Sequence, residues 1–75
     1  MIVKEVYNLK IELNGKNVEL NKELSLMDFI VKEKGLNPNK VVVELNARIA
    51  DKAEWEIIML KANDKLEVIK FVGGG

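Results

Sequence analysis

The first part of the chain alternates between apolar and polar positions. Residues 9–13 follow this alternation, and it resumes at Val18 and Leu20, which is typical of strands with one buried face. The break between the two runs contains Asn14-Gly15, a pair that suits the positive φ angles of a tight type I′ turn. The pattern predicts a β-hairpin over about residues 3–21.

A helical pattern follows the hairpin. Apolar residues recur at helical spacing from Leu26 to Ile30, and the Ser25 to Asp28 spacing resembles a capping box with aspartate in place of glutamate. Gly35 can adopt the left-handed conformation that ends a helix, and Pro38 prevents its continuation. We predict a helix over about residues 26–34, with Leu36 folding back onto its end.

The second half of the chain carries the signals of two strands joined by turns. Residues 41–45 are nearly all apolar and largely β-branched, as expected for an interior strand that ends at Asn46. A short strand is predicted at 48–50, and one helical turn at 51–56, where Trp55 is expected to anchor the core. Residues 57–60 are apolar without a clear pattern. Asn63-Asp64 marks a turn, and residues 66–72 form the last predicted strand.

This order of elements predicts the α+β class, with one main helix crossing a mixed sheet of four to five strands. That arrangement is the β-grasp, or ubiquitin-like, fold. The dense apolar content of the last strand fits a central position, parallel to the first strand. Residues 1–75 are expected to form one domain, in which residues 1–8 extend the first strand and residues 73–75 form a flexible tail.

Composition removes several classes of function. Twelve basic and twelve acidic residues balance, so no electrostatic footprint indicates a nucleic acid or membrane partner. The chain has no cysteine and no histidine, which excludes thiolate nucleophiles, imidazole bases and the usual zinc ligands. Because no apolar run approaches the roughly 20 residues of a membrane span, we expect a cytoplasmic protein. Because the usual catalytic and metal-binding side chains are missing, we expect that it is not an enzyme, binds no metal and holds no cofactor.

The last three residues, Gly73, Gly74 and Gly75, are the strongest functional signal. Because glycine has no side chain, a run of glycines is narrow and pliable. Such a segment can enter a narrow channel and present the terminal carboxylate to an ATP site. Terminal glycines also occur as frayed chain ends or as remnants of an expression vector. The sequence leaves both interpretations open.

The last strand is apolar on both faces. Leu66 and Val68 fall on one face, whereas Glu67, Ile69 and Phe71 fall on the other. One helix covers only one side of so small a sheet, so Ile69 and Phe71 are either an exposed interface patch or are covered by Trp55 or residues 57–60.

Several of these positions together resemble one known family. The chain is similar to the thiamine-biosynthesis sulfur carriers, the ThiS family, over about residues 9–75. The similarity rests on Val43-Glu44-Leu45-Asn46, Ile49, Trp55, Leu60, Asn63-Asp64, Glu67 and Phe71-Val72-Gly73-Gly74-Gly75. Two features depart from the family pattern: the first eight residues are additional, and Asn63 stands where many members have glycine. Asparagine also tolerates the left-handed conformation.

The resemblance implies that the Gly75 carboxylate is adenylated and converted to a thiocarboxylate, with Gly74 as the second member of the required pair. The implied partners are a ubiquitin-activating-type adenylyltransferase, which uses the ATP, a sulfur-donating enzyme, and thiazole synthase. Ile69, Phe71, Val72 and Gly73 would contact a partner.

Three other functions stay open at the level of sequence. A carrier of the same mechanism could serve molybdopterin synthesis or tRNA thiolation. Alternatively, a ubiquitin-like protein tag would use the same tail for an isopeptide bond, and a non-catalytic β-grasp interaction module would use only the surface of the domain.

Overall fold

The computed structural model describes residues 8–71, which form a five-stranded sheet with one short helix on one of its faces. The strands are β1 (Leu9–Leu13), β2 (Lys16–Leu20), β3 (Val41–Leu45), β4 (Arg48–Ile49) and β5 (Lys65–Lys70). The helix, α1, begins as an α-helical turn (Leu26–Asp28) and continues as a π-helical turn (Phe29–Glu33). Two 3₁₀ turns, Pro38–Lys40 and Lys52–Glu54, complete the described elements.

The sheet has the strand order β2-β1-β5-β3-β4. β5 runs parallel to β1 and antiparallel to β3, and the two remaining neighbouring pairs are antiparallel. The predicted β-grasp arrangement is therefore confirmed, including the central place of the last strand. β5 has a neighbour on each side, and its apolar residues lie on both faces, with Leu66 in the core and Ile69 exposed on the opposite face.

The predicted hairpin is confirmed over residues 9–20. Asn14 and Gly15 have φ angles of 49° and 82°, and both lie in the positive region that a type I′ turn requires. The turn pairs Leu13 with Lys16, so Ile11 and Val18 face each other across the hairpin. Residues 3–7 of the predicted hairpin lie outside the described residues.

The helix begins and ends where the sequence predicts, but its second turn is wider than an α-helix. The Asp28 N–H donates to Ser25 Oγ at 3.1 Å, which confirms the serine cap. The Lys34 N–H donates to the Phe29 carbonyl at 3.0 Å, a bond between residues five apart that defines a π-helix. Apolar spacing over so short a segment does not distinguish the two helix types, since Leu26 and Ile30 face the core in both.

The end of the helix follows the predicted geometry. Gly35 has a φ angle of 63°, the left-handed conformation that ends many helices. The Leu36 N–H then donates to the Ile30 carbonyl at 2.9 Å, and the Leu36 side chain packs against the core.

The core lies between the helix and one face of the sheet. Trp55 is 1% exposed, and its indole N–H donates to the Ala50 carbonyl at 3.1 Å, which confirms the predicted role of this residue. A buried tryptophan supplies a large apolar area, and its one polar atom is satisfied here. The other buried apolar residues are Ile11, Leu20, Leu24, Leu26, Phe29, Ile30, Val41, Val43, Leu60 and Leu66.

Residues 50–60 close the core without adding a strand of the sheet. The predicted helical turn is a 3₁₀ turn at Lys52–Glu54, and the predicted short strand is only Arg48–Ile49. The unassigned stretch forms one antiparallel bridge between Met59 and Ser25. These residues therefore pack beside the start of the helix.

A buried carboxylate joins the turn after β3 to the start of β5. Asp64 is 9% exposed and accepts hydrogen bonds from Asn46 Nδ2 at 3.0 Å and from the Lys61 N–H at 2.8 Å. Asn46 Oδ1 accepts in turn from the Lys65 N–H at 2.9 Å. Asn46 and Asn63, with φ angles of 52° and 69°, both adopt the predicted turn conformations. Asp64 is thus a structural residue that fixes where β5 begins.

Replacing Asp64 with alanine is expected to destabilise the domain. The substitution leaves Asn46 Nδ2 and the Lys61 N–H without their acceptor in a mostly buried place, which costs about 1–3 kcal/mol. For a domain of this size, that corresponds to a fall in Tm of roughly 5–20 °C in thermal unfolding followed by circular dichroism. Asp51→Ala is the control, because Asp51 is exposed and accepts only from the Ala53 N–H. Equal losses in the two variants would contradict the assigned role of Asp64.

Candidate functional site

The described residues contain part of the predicted site. Ile69 lies in β5 and Phe71 follows its last residue. Val72, Gly73, Gly74 and Gly75 lie outside the described residues. What the structure establishes is therefore how the fold holds the strand that leads to these four residues.

The end of β5 is held from both sides. On one side, the Phe71 N–H donates to the Lys40 carbonyl at 2.9 Å, which continues the pairing with β3 past Lys70. On the other side, Asn14 Oδ1 accepts from the Val68 N–H at 2.8 Å, and Asn14 Nδ2 donates to the Val68 carbonyl at 3.4 Å. The Asn14 side chain thus takes the place of a strand residue where β1 turns away. Asn14 was recognisable from the sequence only as a turn residue, because its hydrogen-bond partner, Val68, lies 54 positions further along the chain.

Ile69 and Phe71 form an exposed apolar surface. Each is 53% exposed, whereas Leu66, on the opposite face of β5, is 1% exposed. Trp55 is buried in the core and Met59 pairs with Ser25, so neither Trp55 nor residues 57–60 shield the two side chains. Of the two alternatives that the sequence left open, exposure is confirmed.

The surface that carries Ile69 continues across the sheet. We call it the open face; it is the side of the sheet opposite to the helix. In the register of β3 and β5, Val42 lies opposite Ile69 and Glu44 lies opposite Glu67. Ile49 of β4 lies opposite Glu44 and is 71% exposed. Residues that are opposite each other across strands share one face, so this half of the open face combines apolar side chains with two carboxylates.

The pairing of Glu44 with Glu67 was not predicted from the sequence. The two residues are 23 positions apart, and only the register of β3 against β5 brings them together. The alternation of β5 placed Glu67 on the same face as Ile69, but no local signal gave the register of its neighbour.

Residues 8–71 include no group of three or more metal-ligating side chains. No helix within them is long and apolar enough to cross a membrane. Arg48 has no ion-pair partner within 4.0 Å in this part of the chain.

Comparison with known proteins identifies the relatives of this chain. The family model described as "ThiS family" matches residues 11–75. The sulfur carrier protein ThiS of Bacillus subtilis is 32% identical over 65 residues, which cover 87% of this chain and 98% of that protein. A thiazole synthase of Paramagnetospirillum magneticum is 30% identical over 67 residues, which cover 89% of this chain but only 20% of the synthase.

A solved structure agrees with this relationship. The crystal structure of a thiamine biosynthesis protein (ThiS) from Geobacter metallireducens matches this fold with a TM-score of 0.75 at 25% identity, covering 89% of this chain and 100% of that one. The family match, the relatives and the shared β-grasp fold agree, and we conclude that this chain belongs to the ThiS family.

Proposed function

We propose that this sulfur carrier of thiamine biosynthesis holds its sulfur as a thiocarboxylate at the main-chain carboxyl group of Gly75. The observation that supports this most is the position of the glycines: they follow the central strand, whose end is fixed on both sides by Lys40 and Asn14. A strand held on both sides and followed by only a few residues limits how far the Gly75 carboxylate can lie from the folded domain, and such positioning of a reacting group lowers the barrier of a reaction.

The chemistry proceeds in two steps. In the first, the Gly75 carboxylate attacks the α-phosphate of ATP, which forms an acyl-adenylate and releases pyrophosphate. In the second, a sulfide-equivalent nucleophile attacks the carbonyl carbon, so that a carbon–sulfur bond forms and the bond to AMP breaks. The thiocarboxylate that results can donate its sulfur to an acceptor.

The partners supply the catalytic groups for both steps. The chain has no cysteine or histidine, so neither nucleophilic catalysis by a thiolate nor proton transfer by an imidazole can come from the carrier. A ubiquitin-activating-type adenylyltransferase binds the ATP, and a separate enzyme delivers the sulfur. Gly74 lets the last residues enter the active site of the adenylyltransferase, because a Cβ at this position would make the segment wider than backbone alone.

Thiazole synthase is the proposed sulfur acceptor. The match to the Paramagnetospirillum magneticum synthase spans most of this chain and one fifth of the synthase. In that protein, a segment similar to this chain is joined covalently to the rest of the synthase. Covalent linkage keeps two modules at a high effective concentration, which favours a working association between a carrier of this kind and the synthase.

Deleting Gly75 is expected to abolish sulfur loading and leave the fold almost unchanged. The buried residues of the described chain all lie at or before Leu66, whereas the chemistry needs a free carboxylate at a fixed reach. The intact mass after incubation with ATP, the adenylyltransferase of the source organism and sulfide reports the exchange of one oxygen for sulfur. Thermal unfolding of the same samples is the control for folding.

Blocking the terminus with added residues, or replacing Gly74 with leucine, should also prevent loading. Thiocarboxylate formation by a chain that lacks Gly75 would contradict the proposal. Isopeptide conjugates to lysine in place of a thiocarboxylate would indicate a protein tag, and transfer of sulfur to molybdopterin precursors or tRNA instead of thiazole would indicate another acceptor.

Phe71→Asp is expected to slow adenylation by about tenfold or more, because it places an unpaired charge where an apolar contact is proposed. The initial rate of pyrophosphate release at limiting carrier concentration measures this effect. Ile57→Asp is the matched control: Ile57 is 75% exposed and apolar but does not belong to the sheet, so its replacement should leave the rate unchanged. An unchanged rate in a folded Phe71→Asp protein would remove Phe71 from the interface.

A further inference from the structure

The open face carries a feature that its apolar character does not explain. Glu44 and Glu67 are directly opposite each other on β3 and β5. Side chains in such a pair start from Cβ atoms about 5 Å apart, and like charges placed this way are destabilising. The free domain therefore holds two carboxylates in a position that lowers its own stability.

No described cation forms an ion pair with either carboxylate within 4.0 Å. The ion pairs within residues 8–71 are Lys10 with Glu19 at 4.0 Å, between β1 and β2, and Lys32 with Asp28 at 3.7 Å, on the helix. Lys65 lies two residues before Glu67 on the same face, opposite Glu12 of β1. The two carboxylates are thus available to a group from outside this part of the chain.

The neighbours of the pair are apolar. Val42 and Ile69 adjoin it on the side toward Phe71, and Ile49 of β4 lies beside Glu44. Covering this surface with another protein removes water from around the carboxylates, and a charge that loses water without gaining a partner is costly. A partner that covers Ile69 and Phe71 must therefore either avoid the pair or bring a cation to it.

We propose that the adenylyltransferase places an arginine between Glu44 and Glu67 when it docks on the open face. This inference rests on the proposed function and deepens it. The enzyme that holds the Gly75 carboxylate must also lie near the end of β5, because Ile69, Phe71 and the glycines follow Glu67 directly along the chain. The apolar surface, the acidic pair and the reacting terminus then belong to one continuous contact.

Arginine fits this position better than lysine. Its planar guanidinium has five N–H donors arranged as a fork, so one side chain can donate to two carboxylates at once. It is also more weakly hydrated than an ammonium group, which lowers the cost of enclosing it among apolar side chains. On docking, the repulsion within the carrier is replaced by attraction across the interface, so the pair favours the complex over the free domain.

Glu67→Gln and Glu44→Gln separate this role from a structural one. In the free protein, either substitution removes the repulsion, and we expect Tm to rise by about 1–4 °C. In the complex, either substitution removes one partner of the arginine, and we expect the Kd for the adenylyltransferase to increase by about tenfold or more. A merely structural residue would not combine greater stability with weaker binding.

The measurements use the full chain and the adenylyltransferase of the source organism. Thermal unfolding gives Tm, and titration calorimetry at two salt concentrations gives Kd. Salt should weaken wild-type binding more than binding of the double variant E44Q/E67Q, because an ion pair has been lost. Glu33→Gln is the control, since Glu33 is exposed on the helix, on the other side of the sheet, and should change neither quantity.

The outcomes are distinguishable from those that test the proposed function. If wild-type protein is loaded with sulfur but both glutamine variants bind as wild type does, the acidic pair has no role in docking and the inference is wrong. A fall in Tm would overturn the repulsion on which it depends. If the variants are adenylated normally but fail to deliver sulfur to thiazole synthase, the synthase and not the adenylyltransferase occupies the pair. Failure of the wild type to load at all would overturn both proposals.

Discussion

The pairing of β5 with a strand on each side is the constraint on which the rest of the structure depends. The parallel contact with β1 joins the first and last described strands, and the antiparallel contact with β3 extends to Phe71 through the Lys40 carbonyl. Two ladders hold the strand more firmly than one, since slipping would break bonds on both sides and turn Leu66 out of the core. The register of β5 in the sheet, up to Phe71, is therefore fixed.

The size of the domain explains why the sheet keeps one face open. A chain of 75 residues buries only about 60% of the surface that it exposes when unfolded, and the main helix of residues 8–71 covers a single face. Trp55, Phe29 and the other buried residues fill that side. No element of the described chain is left to cover Ile69 and Phe71, so a domain of this kind presents apolar surface unless a partner covers it.

Local structure was predictable from the sequence wherever neighbouring residues decide it. Asn14-Gly15 determines the hairpin turn through the φ angles that these two residues tolerate, and Ser25 caps the helix through a bond three residues away. Trp55 could be placed in the core because large apolar side chains rarely remain exposed. The order of such elements indicated the β-grasp arrangement, but local signals alone did not determine the place of the last strand in the sheet.

Contacts between distant residues were not predictable in the same way. The amide of Asn14 bonds to Val68, Asp64 accepts from Asn46, and Glu44 lies opposite Glu67. Each contact depends on the register of two strands or on the position of two turns, and a shift of one residue would change all of them. The candidate site was therefore predicted residue by residue along β5, but its extension onto β3 and β4 required the structure.

The proposed division of labour between a folded domain and a reactive carboxyl group at Gly75 has a physical consequence for recognition. The glycines offer a partner little besides backbone and one carboxylate, groups that every protein chain possesses. Binding energy and selectivity must therefore come from the folded part, at a position that keeps the carboxylate within reach of the reacting groups. The open face next to the end of β5 meets both requirements. It is partly apolar, and it includes β5, which is paired on both sides and precedes the glycines in the chain. A charged side chain on the open face can then lower the stability of the free domain and still strengthen binding to a partner. Such destabilising charges are expected at a binding surface, because functional sites are where a sequence departs from what stability alone favours.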